Sequence, residues 1–279
     1  MKHILLLTDF SDNSKNAIKY ALNFFNDELC TFYLLYVQSS KSYTTDDLMT
    51  NGNTTVYDSI IKKSKHKLEK LIVSLTSEFT NKNHSFQAIV DYDSLTDSIK
   101  QIIKSKKIDL IVMGTNGVTG AKEVVFGSNT INVIRHINCN TLVIPEGFNY
   151  AKKPKDILLP LDENDSLQGA KFNEVAKLIK KYKLLFHALR INPIGKPSII
   201  ENADTKTISD ILKGKRFKHH IVNNIPMHYV VDCYLQTNTI DFMSLIVQKE
   251  SLFERFFIGS PTTQISNKLR VPLLILHSN

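Results

Sequence analysis

The chain has 279 residues, of which 42% are hydrophobic and 22% are charged, and its formal net charge is +8. This length predicts two domains, and the hydrophobic fraction excludes a disordered chain because it can build sizeable cores. No apolar run approaches the roughly 20 residues that a membrane helix needs, and the start of the chain lacks the pattern of a secretory signal. We therefore expect a cytoplasmic protein without a membrane segment.

The first half alternates between strand and helix patterns. Residues 3–8 form a continuous apolar run that is typical of a buried parallel strand, and residues 14–25 carry apolar side chains at helical spacing. The predicted elements, in chain order, are strands at 3–8, 31–37, 84–90, 108–113 and 141–145, separated by helices at 14–25, 57–79, 95–103 and 128–135. This order predicts an α/β fold with an open, mostly parallel five-stranded sheet and helices on both faces.

The second half repeats the first. Ile4 to Asp9 reappears as Ile157 to Asp162, and the same offset carries Asp12 onto Asp165. Further along, Gly127-Ser128 matches Gly259-Ser260, and the apolar run 142–144 matches 274–276 at a shorter offset. The repeat predicts two tandem domains of one fold, at residues 1–150 and 151–279, the second of which is shortened.

The positive charge lies almost entirely in the second half. Residues 1–150 contain 16 basic and 15 acidic residues, whereas residues 151–279 contain 19 and 12. No zinc-finger, homeodomain or aromatic RNA-binding motif accompanies the excess. This favours a solvated basic face over specific nucleic-acid recognition.

Several strand ends of the first half point to one ligand site. In open α/β sheets a ligand binds at the carboxyl ends of the strands, which here are marked by Asp9, Val37, Asp91 and Gly114. A glycine-rich segment, 114–120, follows the fourth strand, and Ser128 can cap the next helix. Glycines let backbone N–H groups converge on an anion, and a helix N-terminus favours phosphate. A tight turn followed by an ordinary helix cap is the alternative explanation.

The glycine spacing identifies a family. Gly114-x2-Gly117-x9-Gly127-Ser128 resembles the G-x2-G-x9-G-[ST] nucleotide motif of universal stress proteins, and Ile4 to Ser11 resembles that family's first strand and aspartate. The resemblance covers the first half and, more weakly, the second. It implies a Rossmann-like domain, of the adenine nucleotide alpha hydrolase-like type, that binds ATP, AMP or ADP, with or without magnesium.

The resemblance also implies roles for individual residues. Asp9 would lie near the ribose and adenine, Val37 would meet the adenine through its backbone, and Gly114 and Gly117 would line the phosphates. Gly127, Ser128 and Asn129 would hold the terminal phosphates. Thr8 and Met113, beside these positions at the strand ends, complete the predicted nucleotide contacts.

The second half departs from this motif. After Leu245-Ile246-Val247 the sequence runs into Gln248-Lys249-Glu250-Ser251 instead of glycines, and Pro261 removes a helix-start N–H donor. We therefore expect the second half to bind no nucleotide in the family's manner. In tandem members of the family the two halves form within one chain the pair that single-domain members form as dimers, and a further homodimer of whole chains stays open.

Three functions follow from these patterns. The first is a nucleotide-dependent regulatory protein of the stress response, recognised in its ATP-bound state by a protein partner that the sequence does not identify. The second is a slow ATPase, although the sequence supplies no evident general base, arginine finger or Walker lysine. The third is a nucleotide-free scaffold whose basic second half docks an acidic partner.

Catalytic and metal sites have little support. His219, His220 and His228 lack a further ligand at an established spacing, and no serine sits in a nucleophile elbow. Asp91 and Asp93 could hold magnesium through a nucleotide, although solvated loop acids are the favoured explanation. The Ser-, Thr- and Asn-rich stretches 38–55 and 202–207 are predicted to be surface loops.

Overall fold

The computed structural model describes residues 1–38, 55–115, 127–150, 152–162, 165, 167, 169–192, 197–247 and 271–277. The chain divides into two compact units. The first unit contains Met1–Thr115 and Ser128–Tyr150, and the second contains Ala151–Asn279 together with Gly127. Each unit carries its own buried strands and helices.

The first unit alternates strands and helices along the chain. Ser11 caps the first helix by accepting a hydrogen bond from the Ser14 N–H, and Ser94 caps the third in the same way. The elements are β1 (Lys2–Leu7), α1 (Asp12–Phe24), β2 (Cys30–Val37), α2 (Thr55–Glu78), β3 (His84–Asp91), α3 (Leu95–Lys106), β4 (Leu110–Gly114), α4 (Ser128–His136) and β5 (Thr141–Ile144).

The five strands form a parallel sheet in the order β3-β2-β1-β4-β5. β1 lies at the centre with Ile4, Leu5 and Leu6 fully buried, as expected for a strand covered on both faces. Right-handed crossovers place α1 and α2 on one face, and α3 and α4 on the other. The predicted α/β fold is confirmed, and each predicted strand and helix of this unit is present within a few residues of its expected bounds.

The second unit repeats this architecture. Its described elements are β6 (Asp156–Asp162), α5 (Ala170–Tyr182), β7 (Leu185–Asn192), α6 (Pro197–Leu212), β8 (Phe217–Asn223), α7 (Met227–Thr237), β9 (Phe242–Val247) and β10 (Leu273–His277). The strands are again parallel, in the order β10-β9-β6-β7-β8. The sequence repeat is therefore a repeat of structure.

One loop expectation is wrong, and others fall outside the described residues. Residues 202–207 belong to α6, because buried Asp204 and Ile208 anchor that polar stretch as one face of a helix. Residues 39–54, Gly117 and the segment 248–270, which includes the altered loop of the second half, lie outside the described residues. Among the helices that are described, none has the length and apolar character needed to cross a membrane.

Candidate functional site

The strand order of the first unit creates one switch point. The chain runs from β1 outward to β2 and β3, and then returns to the other side of β1 as β4. At such a point the loops after the two central strands diverge and leave a crevice at their carboxyl ends. Here Thr8 and Asp9 follow β1, Val37 ends β2, and Met113 and Gly114 end β4. The structure therefore brings these five predicted residues to one edge of adjacent strands.

The turn after β1 is held by side-chain hydrogen bonds. Buried Thr8 places its hydroxyl oxygen 3.1 Å from the Ser14 hydroxyl, and this oxygen also accepts the Phe10 N–H at 3.0 Å. Asp9 is exposed, and its carboxylate accepts the Ser11 N–H at 3.0 Å as well as the Ser11 hydroxyl. The hydroxyl of Thr8 thus shapes the turn, whereas the carboxylate of Asp9 lies at the surface of the crevice.

Asp9 is held in its ionised form. Partial burial alone would raise its pKa, but the hydrogen bonds from Ser11 outweigh this and lower the pKa below its ordinary value. An ionised carboxylate is purely a hydrogen-bond acceptor, and it is well suited to the hydroxyl groups of a sugar.

Phe10 adopts a strained backbone conformation beside Asp9. Its φ of 67° lies in the left-handed region, which is uncommon for a residue with a bulky side chain. The ring packs against Tyr36 with centroids 4.8 Å apart, and Lys67 Nζ lies 5.8 Å from its centroid. Such strain concentrates at functional sites, where surrounding contacts hold it in place.

Gly114 permits a close approach that any side chain would block. A Cβ at this position would lie 2.9 Å from Asn13 Oδ1. That amide oxygen is buried and has no hydrogen-bond partner, so it is an acceptor left open beside the end of β4. Sequence reasoning missed Asn13, since an asparagine in the first turn of a helix is an ordinary feature.

The start of α4 is fixed to the end of β4. The Thr130 hydroxyl lies 3.4 Å from the Gly114 carbonyl oxygen, and buried Thr115 bonds through its N–H to the Ile144 carbonyl. Ser128 and Asn129 are exposed in the first turn of α4, and Gly127 precedes them. The first turn of α4 contains no acidic residue, so its N–H groups and helix dipole favour an anion.

The carboxylates in the loop after β3 accept hydrogen bonds from the backbone of the same loop. Asp91 pairs with Val37 in the sheet, and its carboxylate accepts the Tyr92 N–H at 2.8 Å. Asp93 accepts the Ser94 N–H at 2.7 Å. Among the described residues no group of three or more histidine, cysteine, aspartate or glutamate side chains is placed to hold a metal ion.

The equivalent edge of the second unit contains a buried arginine. Arg190 is 2% exposed near the end of β7, and the β6–β7 register places it opposite Leu161, so that it takes the place of Tyr36 in the first unit. Its guanidinium donates two parallel hydrogen bonds of 2.8 Å to Asp204 of α6. It also donates to the backbone carbonyls of Asp162 and Asp165, which follow the pattern of Asp9 and Asp12 in the repeat.

Asp204 is the anionic partner that this arginine requires. Burial alone would raise the pKa of Asp204, but its neighbours His219 and Arg190 lower the pKa below its usual range. The His219 Nε2 atom lies 3.4 Å from an Asp204 oxygen. Sequence reasoning missed this pair, although the sequence offers one signal: an arginine stands among the mostly apolar residues of the strand Leu185–Asn192.

Asp165 makes the second unit sensitive to pH. Burial raises the pKa of Asp165 to about 6, and the nearby Asp162 carboxylate adds to this rise. The native state thus binds the proton more tightly than the unfolded chain, whose pKa is near 3.8. The resulting stability is present at pH values below about 4 and is lost as the pH rises through about 6, by up to about 3 kcal/mol.

An Asp165→Asn variant tests this assignment, since it keeps an oxygen to accept the Asp162 N–H at 2.7 Å. We expect the free energy of unfolding, measured with urea, to be higher for the variant than for the wild type near neutral pH. This difference should vanish at acidic pH. Asp12→Asn, at the equivalent and fully exposed position of the first unit, is the control and should show no such trend. Parallel pH profiles for wild type and Asp165→Asn would contradict the assignment.

The chain resembles known proteins over both its halves. The sequence profile of the Universal stress protein family matches residues 1–145. Universal stress protein MJ0531 of Methanocaldococcus jannaschii is 29% identical over 154 residues, which cover 55% of this chain and 84% of that protein. Universal stress protein Slr1230 of Synechocystis is 23% identical over 296 residues, which cover 98% of this chain and 99% of that protein.

The solved structures agree on the fold. The crystal structure of a universal stress protein from Archaeoglobus fulgidus covers 99% of this chain with a TM-score of 0.69, at 14% sequence identity and over 96% of its own length. Similarity at this level of identity supports the architecture alone, whereas the sequence profile, which matches more than half of the chain, establishes membership. The chain therefore belongs to the universal stress protein family.

Proposed function

We propose that the first unit binds ATP at the carboxyl edge of its sheet, between β1 and β4. The observation that carries the proposal is the coincidence of the switch point with the glycine motif: the topology brings Asp9, Val37 and Gly114 together where Gly114 begins the family's phosphate-binding spacing. The alternative, a tight turn with an ordinary helix cap, does not account for the open acceptor of Asn13 or the strained turn at Phe10.

Each part of the nucleotide has a suitable group at this edge. The adenine would meet the backbone of Val37, and the ionised Asp9 would accept from the ribose hydroxyls. The phosphates would lie at Gly114, Gly117 and Gly127, and at the exposed first turn of α4 with Ser128 and Asn129. AMP or ADP would use the same adenine and ribose contacts, and Asp91 or Asp93 would face a magnesium ion carried by the phosphates.

The second unit, by contrast, is proposed to bind no nucleotide. The guanidinium of Arg190 and the carboxylate of Asp204 occupy the end of β7 with partners already in place, so this edge needs no external anion. We propose that residues 151–279 instead serve as the partner domain for residues 1–150. The whole would act as a cytoplasmic, nucleotide-dependent regulator of the stress response whose ATP-bound form a protein partner recognises.

Thermal unfolding with and without nucleotide tests the proposal. A ligand that binds only the folded protein stabilises it by about 2.7 kcal/mol at a hundredfold excess over its dissociation constant. We expect ATP with magnesium to raise the melting temperature and to slow amide exchange in β1, β4 and α4. CTP is the matched control, because it offers the same phosphates without adenine. Unchanged melting and exchange at saturating ATP would refute the proposal.

A further inference from the structure

The second unit carries a concentrated basic surface at the edge opposite its carboxyl strand ends. We call it the basic edge and define it by the last helical turns, the loops and the first strand residues that meet there. Its ten basic members are Lys152, Lys153, Lys155, Lys180, Lys181, Lys183, Lys213, Lys215, Arg216 and Lys218. All of them are exposed except Lys215, which is half-buried.

The strand starts along the basic edge are aligned, because three adjacent strands begin in register. Asp156 of β6 pairs with Leu185 of β7, and Phe186 of β7 pairs with Phe217 of β8. Lys215 Nζ donates to the carbonyl oxygen of Lys180 at 3.3 Å, which joins the end of α5 to the loop after α6. Neighbouring strands lie about 4.8 Å apart, so the cations form one continuous surface rather than separate points.

The fold itself does not require this charge. The same edge of the first unit, defined in the same way, holds six basic and four acidic residues, whereas the described part of this edge in the second unit, without residues 248–270, holds ten basic and three acidic residues. The first unit's members are Lys2, Lys82, Lys104, Lys106, Lys107, Arg135, Asp27, Glu28, Glu78 and Asp109. Two copies of one architecture therefore differ sharply in charge at an equivalent edge.

The acidic residues of the basic edge leave its charge largely uncompensated. Asp156 bonds to the buried His187 at 2.9 Å, and Asp241 accepts the N–H groups of Lys155 and Asp156. The third, Asp210, is exposed on α6. Within the described parts of the chain, Lys155, Lys180, Lys183, Lys213, Lys215, Arg216 and Lys218 form no ion pair.

The chemistry of the basic edge favours a broad anionic plane over other partners. Nine of its ten cations are lysines, which act as hydrated point charges on flexible stems and do not form the bidentate contacts of arginine. In the part of the second unit that the structure describes, the exposed large apolar side chains are Ile199, Ile225 and Tyr229, which lie near the starts of α6 and α7, at the other end of the strands. Among the described residues, the aromatic side chains of the basic edge, such as Tyr182 and Phe217, are buried or half-buried, so none stands exposed as an anchor for a protein partner or as a stacking platform for single-stranded nucleic acid.

We propose that the basic edge docks the protein on the anionic surface of a phospholipid membrane. A level array of lysines brings many charges to a planar negative surface at once, and the contact requires no apolar insertion. Each lysine near such a surface adds about a fivefold factor in affinity, which is screened by salt. The interaction is peripheral, reversible and independent of the proposed nucleotide site.

Vesicle co-sedimentation of the full chain tests this proposal. We expect binding to vesicles that contain phosphatidylserine, little binding to pure phosphatidylcholine, and loss of binding as salt rises. The triple variant Lys180→Gln, Lys181→Gln, Lys183→Gln removes three charges from the end of α5 and should bind roughly a hundredfold more weakly. The matched control Lys104→Gln, Lys106→Gln, Lys107→Gln removes three charges from the end of α3 in the first unit. The two triple variants are comparable because Lys107 and Lys183 both have a left-handed backbone conformation. The control should change vesicle binding by less than about twofold.

Three results would overturn the proposal. Equal losses for the two triple variants would show that net charge, and not the basic edge, drives binding. Equal binding to neutral and anionic vesicles would exclude an electrostatic mechanism. Tighter binding to duplex DNA than to the anionic vesicles, lost in the α5 variant, would assign the same surface to nucleic acid.

Discussion

Replacing Arg190 by methionine is expected to lower the free energy of unfolding by about 3–5 kcal/mol. Methionine fills much of the volume but leaves the buried carboxylate of Asp204 without its two guanidinium hydrogen bonds, and two backbone carbonyls lose their donor. An uncompensated buried charge is among the costliest single defects in a protein. Urea unfolding followed by circular dichroism measures the loss.

Two further variants separate this cause from a general effect of losing an arginine. Arg216→Met removes an exposed arginine of the same unit and should change stability by no more than about 0.5 kcal/mol. The double variant Arg190→Met, Asp204→Leu removes both charges and should recover a large part of the loss, because paired removal leaves no isolated charge. A double variant as unstable as Arg190→Met alone would show that packing, and not the ion pair, stabilises this edge.

Replacing Gly127 by valine is expected to weaken ATP binding roughly tenfold to a hundredfold. Gly127 directly precedes α4, and a branched side chain there would stand between the first helical N–H groups and a phosphate. Each charge-assisted hydrogen bond lost contributes about 1.5–3 kcal/mol, and this change removes one or more of them. Titration calorimetry of the full chain with ATP gives the affinity.

The repeat supplies the control for this experiment. Gly259 matches Gly127 in the second half, so Gly259→Val makes the same chemical change in the unit that is proposed to bind no nucleotide. We expect wild-type affinity and a stoichiometry of one ATP per chain for Gly259→Val. Two ATP molecules per wild-type chain, or equal losses in both variants, would contradict the assignment of a single site to the first unit.

The sequence predicts the architecture well, because its signals are local and repeated. The apolar run of β1 allows few structures other than a buried strand, and the glycine spacing after β4 is specific enough to identify the family. The bounds of the helices shift by only a few residues, since caps such as Ser11 and Ser94 decide them.

What the sequence did not predict depends on contacts between distant segments. Arg190 and Asp204 are 14 residues apart on a strand and a helix, and neither has a local pattern that reveals the other. Residues 202–207 have loop-like composition, yet tertiary packing through Asp204 places them in α6. The open acceptor of Asn13 is likewise apparent only once Gly114 is seen beside it. Polar residues whose role is set by long-range partners are therefore the ones that sequence patterns miss.

The second unit has Arg190 at the position equivalent to Tyr36 of the first unit, and this difference affects how the chain would respond to a nucleotide. If the Arg190–Asp204 pair leaves the second unit without a nucleotide site, as proposed, only the first unit would become occupied as the ATP concentration rises. Cooperativity within one chain requires two sites that are coupled, and a single site saturates along a simple hyperbola. The response of such a protein to nucleotide concentration would therefore be graded and would have no threshold.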